Sequence, residues 1–209
     1  MYLNDTGATT GAFPMSAILT LTGMSGSGKT TLAGELLRQR SDVRMIQSVT
    51  TRCRRESDLP GEYEYVSKED FERFVRAQFF LWHVSRGDVS YGTDRNAVFD
   101  VCDKPRGIGI MILVPSKVHE LAEFIRGQYG LTVPVVSIYL ESPGEAVLRE
   151  RLLRRGESAV GIDERMSLER TWPEEIGASS EAFHFIPGGK TLEDLPQVVA
   201  AVNDKLCGL

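Results

Sequence analysis

The sequence predicts an α/β domain whose core is a mostly parallel sheet flanked by helices. Three observations lead there. Apolar runs of strand length alternate with helix-forming segments along the chain, the pattern of parallel strands joined by crossover helices. Two of those runs, GIGIMILV (107–114) and VVSIYL (135–140), are apolar without alternation, as strands covered on both faces are. The first run, AILTLT (17–22), is followed at once by GMSGSGKTT (23–31), a glycine-rich turn that opens a helix.

In chain order, Ala17–Thr22 reads as a short buried strand, Gly23–Gly28 as a loop, and Lys29–Arg40 as a helix. VRMIQS (43–48) is a second strand. From Thr50 to Tyr65 the chain is polar, with several Arg, a Pro and a Gly, and reads as loop or small lobe. Ser67 caps a helix through SKEDFERFVRAQ (67–78), with Asp70 three residues on as in a capping box. After the two apolar strands, Pro143 sits in the first turn of a helix that runs to Arg155. FHFI (183–186) is the last strand, and Thr191 caps the last helix. Residues 1–16 are rich in Gly, Thr and Ala and lack the basic and apolar regions of a signal peptide. They read as a flexible tail, with the domain at 17–209.

Composition narrows the function classes. Of 209 residues 42% are hydrophobic and 25% charged, which is ordinary for a soluble globular domain. A net charge of -5 argues against a general binder of nucleic acid or anionic membranes. No run approaches the roughly 18 apolar residues of a membrane span. Cys53, Cys102 and Cys207 are scattered, with no CxxC or Cys/His ligand spacing. That pattern indicates neither zinc nor a disulfide framework and fits a reducing cytosol.

GMSGSGKT matches GxxxxGK[ST] at Gly23, Gly28, Lys29 and Thr30, and it lies between a strand and a helix as the mechanism requires. This makes the core that of a P-loop NTPase. Through Ser25, Gly26 and Ser27 the backbone curls so that N–H groups point at phosphate oxygens, and the helix from Lys29 through Thr31 adds the positive end of its dipole. Lys29 reaches the β and γ phosphates of ATP, and the Thr30 hydroxyl ligates Mg²⁺. A GTPase would carry a guanine-reading NKxD downstream, and none exists.

A second cluster follows in SVTTRCRRESDLPGEYEYVS (48–67). Arg52, Arg54 and Arg55 stand together, with Tyr63 and Tyr65 after them. A guanidinium grips phosphate oxygens in bidentate fashion, and a tyrosine hydroxyl adds a donor. One site for a triphosphate and a second for another phosphate is the layout of a phosphotransferase acting on a phosphorylated small molecule. An Arg/Glu-rich stretch is also what a solvated surface looks like.

The second cluster resembles the guanylate kinase signature at Ser48, Thr50, Thr51, Arg52, Arg55, Gly61 and Tyr63. The resemblance continues in YGT (91–93), in RLLRRG (151–156) and in Arg165 of DERM, and spans roughly Ile18 to Arg170. It implies an acceptor-binding lobe over about 48–100 and a helical lid over about 151–175. It also implies that Arg52, Arg55, Tyr63 and Tyr91 hold the acceptor phosphate, that Ser48 and Thr93 reach the base, and that Arg155 and Arg165 join Lys29 in catalysis. Arg151 and Arg154 lie close by. The implied reaction moves the γ-phosphate of ATP, with Mg²⁺, to a nucleoside monophosphate, GMP first, in the cytoplasm.

Two departures bear on the acceptor. The family's guanine-reading Glu appears as Leu81 in FFLWHVSRGDVSYGT, and its DxDxxG strand appears as the acid-free IGIMILVPSK (108–117). A leucine cannot accept the guanine N–H bonds, and each donor left unpaired costs about 1–3 kcal/mol. Three readings stay open. Asp88 or Asp94 supplies the carboxylate; the acceptor is a sugar phosphate, as for the related ribose 1,5-bisphosphate phosphokinases, with His83 near it; or the domain is a binding module. A role for Asp100 or Asp103 at the metal is open too. On the adenine side the family's Asn-Asp-type turn appears as IPGGK (186–190).

Overall fold

A computed structural model describes residues 16–104, 107–179 and 181–207. The tail expected over 1–16 lies outside these residues apart from Ser16, whose hydroxyl donates to the Lys104 carbonyl. Five strands form the main sheet: β2 (Val43–Met45), β7 (Ile108–Ile112), β1 (Ala17–Thr22), β8 (Val135–Leu140) and β9 (Phe183–Ile186), in that spatial order. Every pairing is parallel, so every link crosses over a face of the sheet. Successive residues of β1 serve opposite faces. Ala17, Leu19 and Leu21 meet Leu32 and Leu36 of α1 (Lys29–Gln39) and Val198, Val202 and Leu206 of α8 (Leu195–Cys207). Ile18 meets Val98 and Val101 of α3 (Arg95–Cys102) and Leu121 and Ile125 of α4 (Pro115–Tyr129). Each such burial is worth about 1.5–3 kcal/mol, which makes the sheet a rigid base for the loops at its carboxyl edge.

A second, four-stranded sheet is ordered β4 (Tyr63–Tyr65), β3 (Ser48–Thr50), β6 (Val89–Asp94), β5 (Phe80–Arg86). Its registers align two rows of side chains on one face. Tyr63, Ser48, Thr93 and Trp82 are successive cross-strand neighbours, and so are Tyr65, Thr50, Tyr91 and Val84. The alternate row is Glu64, Val49, Gly92 and His83. It faces α2 (Lys68–Arg76), where Val49, Phe71 and Phe80 form a small core. Gly92 is there for space: a Cβ would lie 2.6 Å from the Phe80 ring. A register shift between Phe80 and Trp82 turns Phe80 to the α2 side while Leu81 and Trp82 both pack with Ile18 and Val98.

VRMIQS does not stay in one strand. Ile46 N–H still bonds Ile110 in the main sheet, but Ser48 N–H bonds Glu62 in the second. The chain changes sheets there, and β3 begins at Ser48. Pro143 lies outside its helix. The Ser142 hydroxyl accepts the Gly144 N–H, Gly144 has φ 115, and α5 starts only at Glu145 and runs to Arg154. Thr191 caps a single 3-10 turn, Leu192–Asp194, that leads into α8. Ser67 caps α2 as expected by accepting the Asp70 N–H, but the Asp70 carboxylate turns to Arg73. After α5 come α6 (Ala159–Glu169) and α7 (Trp172–Gly177). Ile162 and Met166 of α6 pack with Leu148 and Leu152 of α5 onto Met24 of the glycine-rich loop. Among the described residues no helix is long and apolar enough to cross a membrane.

Gly92→Ala should destabilise the second sheet by about 1–3 kcal/mol, because Phe80 must leave its place. Denaturant unfolding reads this directly, and a midpoint equal to that of the parent chain would mean that Phe80 yields freely.

Candidate active site

The loop after β1 is shaped by what it cannot hold. Gly23, Gly26 and Gly28 have φ of 149, 85 and 107, conformations that L side chains rarely adopt. At Gly23 a Cβ would also come within 2.4 Å of the Leu140 carbonyl. The loop thus lies hard against the end of β8, and its backbone forms a concave cradle at the start of α1. Ser27 is buried, and its Oγ has no partner among the described residues.

Lys29 Nζ donates to the carbonyls of Gly23 and Met24 at 2.6 and 2.9 Å. Burial is the main cause that lowers its pKa to about 8; Glu169 opposes the shift, and Arg155 and Arg165 add to it. A lysine crowded by two arginines is a site prepared for anionic charge. Glu169, at the end of α6, accepts the Ser25 N–H at 2.6 Å and the Ser25 hydroxyl at 2.8 Å.

Across from the loop, Arg52 and Asp58 form a bidentate pair, both contacts 2.8 Å, with 9% and 7% of their side-chain surface exposed. Asp58 also accepts the Tyr65 hydroxyl at 2.6 Å and the Arg55 N–H at 2.7 Å. Burial pushes its pKa up, but these donors outweigh burial and hold it at about 2. The Arg52 guanidinium lies 4.8 Å from the Tyr63 ring centroid and 5.9 Å from that of Tyr65, within cation–π range. Arg52 therefore has one fixed pose. Burial raises the Tyr63 pKa, so its hydroxyl keeps its proton as a donor.

Two cavities flank the loop. One, of about 570 Å³, is lined by Lys29, Thr30, Ser48, Arg52, Arg55, Tyr63, Tyr91, Thr93 and Arg165. The structure thus gathers the residues expected to bind the acceptor together with Lys29 and both expected lid arginines, Arg155 and Arg165. The other, of about 440 Å³, runs past Thr31, Arg151, Lys190 and Thr191. Both are lined by Gly26, Gly28 and Arg155, so they meet at the phosphate loop. Arg151 has a structural task of its own. It donates to the carbonyls of Gly26, Gly189 and Lys190, each at 2.8 Å, and ties the IPGGK turn to the loop. Arg165 pairs with Glu157 at 3.2 Å, and Arg154 with Glu150 at 2.6 Å.

Some candidates lie elsewhere. Asp88 pairs with Lys68, Asp94 caps α3, and neither lines the larger cavity among the described residues. His83 is on the far face of the second sheet, beside Phe71 and Phe80. Asp103 accepts the Tyr129 hydroxyl, and the Asp100 carbonyl accepts from Arg44. Beside Thr93 the cavity wall is Trp82, with Leu81 packed into the core. Asp58 and Glu169 were not singled out by sequence reasoning.

The residues present fit a nucleoside triphosphate: a cradle that a Cβ would obstruct, an unpartnered buried Ser27 hydroxyl, and a buried lysine. Among the described residues no three His, Cys, Asp or Glu side chains gather as a metal cage. Mg²⁺ held mainly by phosphates and water needs none, and the Thr30 hydroxyl, in the larger cavity, fits as its protein ligand.

Comparison with known proteins gives the family. The family model described as Guanylate kinase matches residues 15–202. A guanylate kinase of Symbiobacterium thermophilum is 33% identical over 162 residues, 76% of this chain and 72% of that one. One of Thermotoga maritima is 30% identical over 188 residues, 88% and 84%. The crystal structure of guanylate kinase from Anaplasma phagocytophilum shares the fold, with TM-score 0.62 and 22% identity over 94% of this chain and 87% of that one. The chain belongs to the guanylate kinase family.

The lowered Lys29 pKa has a signed consequence. The ammonium is present below about pH 8 and is lost above it, so kcat/KM for ATP, which reports the free enzyme, should hold between pH 7 and 8. It should then fall about tenfold per further pH unit, and a profile flat to pH 9.5 would contradict this role of the lysine.

Proposed function

We propose that the chain transfers the γ-phosphate of ATP to the phosphate of a nucleoside monophosphate, GMP first, giving the diphosphate. The observation that carries this reading is the meeting of the two cavities at Gly26, Gly28 and Arg155. A nucleotide lying along the smaller cavity presents its terminal phosphate to the larger one, where Arg52, Arg55, Tyr63 and Tyr91 stand ready for a second phosphate. An acceptor phosphate oxygen attacks the γ-phosphorus, the bond to the β–γ bridging oxygen breaks, and ADP leaves.

The catalytic roles follow from charge. The Thr30 hydroxyl would hold Mg²⁺, which would supply positive charge against that of the triphosphate. Lys29 holds the β and γ phosphate oxygens, and Arg155 and Arg165 stabilise the equatorial oxygens as the phosphoryl group passes. Asp58 orients Arg52 and thereby fixes the acceptor phosphate; positioning of this kind supplies much of the rate in phosphoryl transfer. Closure by α6 excludes water and favours transfer over hydrolysis. Small phosphorylated metabolites are the partners on this reading, with no call for nucleic acid or membrane. Free Cys53, Cys102 and Cys207 suit the cytoplasm.

The row that reaches the base end carries the hydroxyls of Ser48 and Thr93 and the Trp82 indole. Of the carboxylates beside it, Asp58 pairs with Arg52 and Glu62 accepts the Leu59 N–H through one oxygen. Nothing in that row rewards the 2-amino group of guanine as a carboxylate would, and a site without such a partner discriminates weakly. In a coupled ADP-release assay with Mg-ATP, GMP should turn over, with IMP within about tenfold of it. Turnover of ribose 1,5-bisphosphate alone, or of no acceptor among GMP, dGMP, IMP, AMP, CMP, UMP and dTMP, would overturn the reading.

A further inference from the structure

Glu169 is a buried carboxylate that the transfer mechanism leaves unused. It is 2% exposed, and both its oxygens are taken by one residue of the phosphate loop. Oε2 accepts the Ser25 N–H at 2.6 Å, and Oε1 accepts the Ser25 hydroxyl at 2.8 Å. Arg165 stands four residues earlier on α6, one turn away on the same side of the helix. Lys29 has Glu169, Arg155 and Arg165 as its charged neighbours. The loop therefore already holds one anion among three cations, and that anion is part of the chain.

A phosphate oxygen seeks what Glu169 has: an inward N–H of the loop, a hydroxyl, and nearby positive charge. Two anions at one donor repel each other and cannot both be satisfied. We propose that Glu169 is an intramolecular competitor for the triphosphate. It occupies the Ser25 donors, weakens ATP binding, and releases the loop when ATP enters. This rests on reading the loop as the ATP site and not on the identity of the acceptor.

The exchange also links binding to movement. Among the described residues, the hydrogen bonds from Ser25 tie α6 to the loop beside the apolar contact of Ile162 and Met166 with Met24. Release of Glu169 loosens α6 from the loop at the moment that Arg165 gains a phosphate to follow. ATP entry thereby frees the lid segment to reset around the second substrate.

The test is the dissociation constant of Mg-ATP and of inorganic tripolyphosphate, measured by titration calorimetry for the parent chain, Glu169→Gln and Glu169→Ala. Glutamine keeps the shape and one carbonyl oxygen for Ser25 but removes the charge; alanine removes both. Tripolyphosphate and ATP should bind several-fold more tightly to the Gln variant and about tenfold or more tightly to the Ala variant. Damage to the site would weaken binding, so a gain is the signature. If the parent chain binds ATP and neither variant binds more tightly, the competitor role is wrong while the ATP site stands. If no form binds either ligand, both readings fall.

Discussion

Two phosphate-bearing molecules must be brought to bonding distance, and their mutual repulsion is the constraint on which this architecture depends. Each pair of like charges 4 Å apart costs about 4 kcal/mol at the effective dielectric near a protein surface. The chain brings cations to this point from three separate places: Lys29 from the loop after β1, Arg155 just after α5 and Arg165 within α6, and Arg52 and Arg55 from the loop after β3. No single helix or strand could hold all of them around one point. The parallel sheet, buried on both faces, fixes the first group, and the second sheet holds the last across a cavity.

Holding cations together without substrate is itself costly, and the structure answers with carboxylates. Asp58 neutralises Arg52 in a bidentate pair that also takes the Tyr65 hydroxyl. Removing one partner of so buried a pair typically costs 3–5 kcal/mol, because it strands the other charge. Glu169 brings opposite charge near Lys29, although its hydrogen bonds come from Ser25. The two differ in their partners: Asp58 binds the arginine itself, whereas Glu169 sits on the donors of the loop.

Much of this was legible in the residues. The strands β7 and β8 read correctly because strands buried on both faces are largely unbroken apolar runs, and the glycine-rich loop after β1 carries its own mechanism in its spacing. The hairpin of β5 and β6 was not assigned. Its first strand, FLWHVSR, shows no alternation, because the register shift at Leu81 sends Leu81 and Trp82 into one core while Phe80 serves another. The same irregularity places Trp82 beside Thr93 in the cavity wall, which simple counting assigned to Leu81. Asp58 escaped notice because a polar loop gives no sign of which of its charges fold together. Glu169 escaped because its partner Ser25 lies 144 residues away, a distance that only the docking of α6 closes. The four-residue step from Arg165 was the one available signal.

The account rests on two separate anion sites served by different residues, and one kinetic comparison tests that most directly. Arg52→Met keeps the length and apolar stem of the side chain and removes the guanidinium. Steady-state kinetics with each substrate varied in turn should show the KM for the accepting monophosphate raised about 100-fold, the loss expected for one charge-assisted phosphate contact. The KM for ATP should stay within about threefold of the parent value, since Arg52 does not touch that site. Equal increases in both constants would contradict the two-site arrangement and place Arg52 in service of a single shared anion.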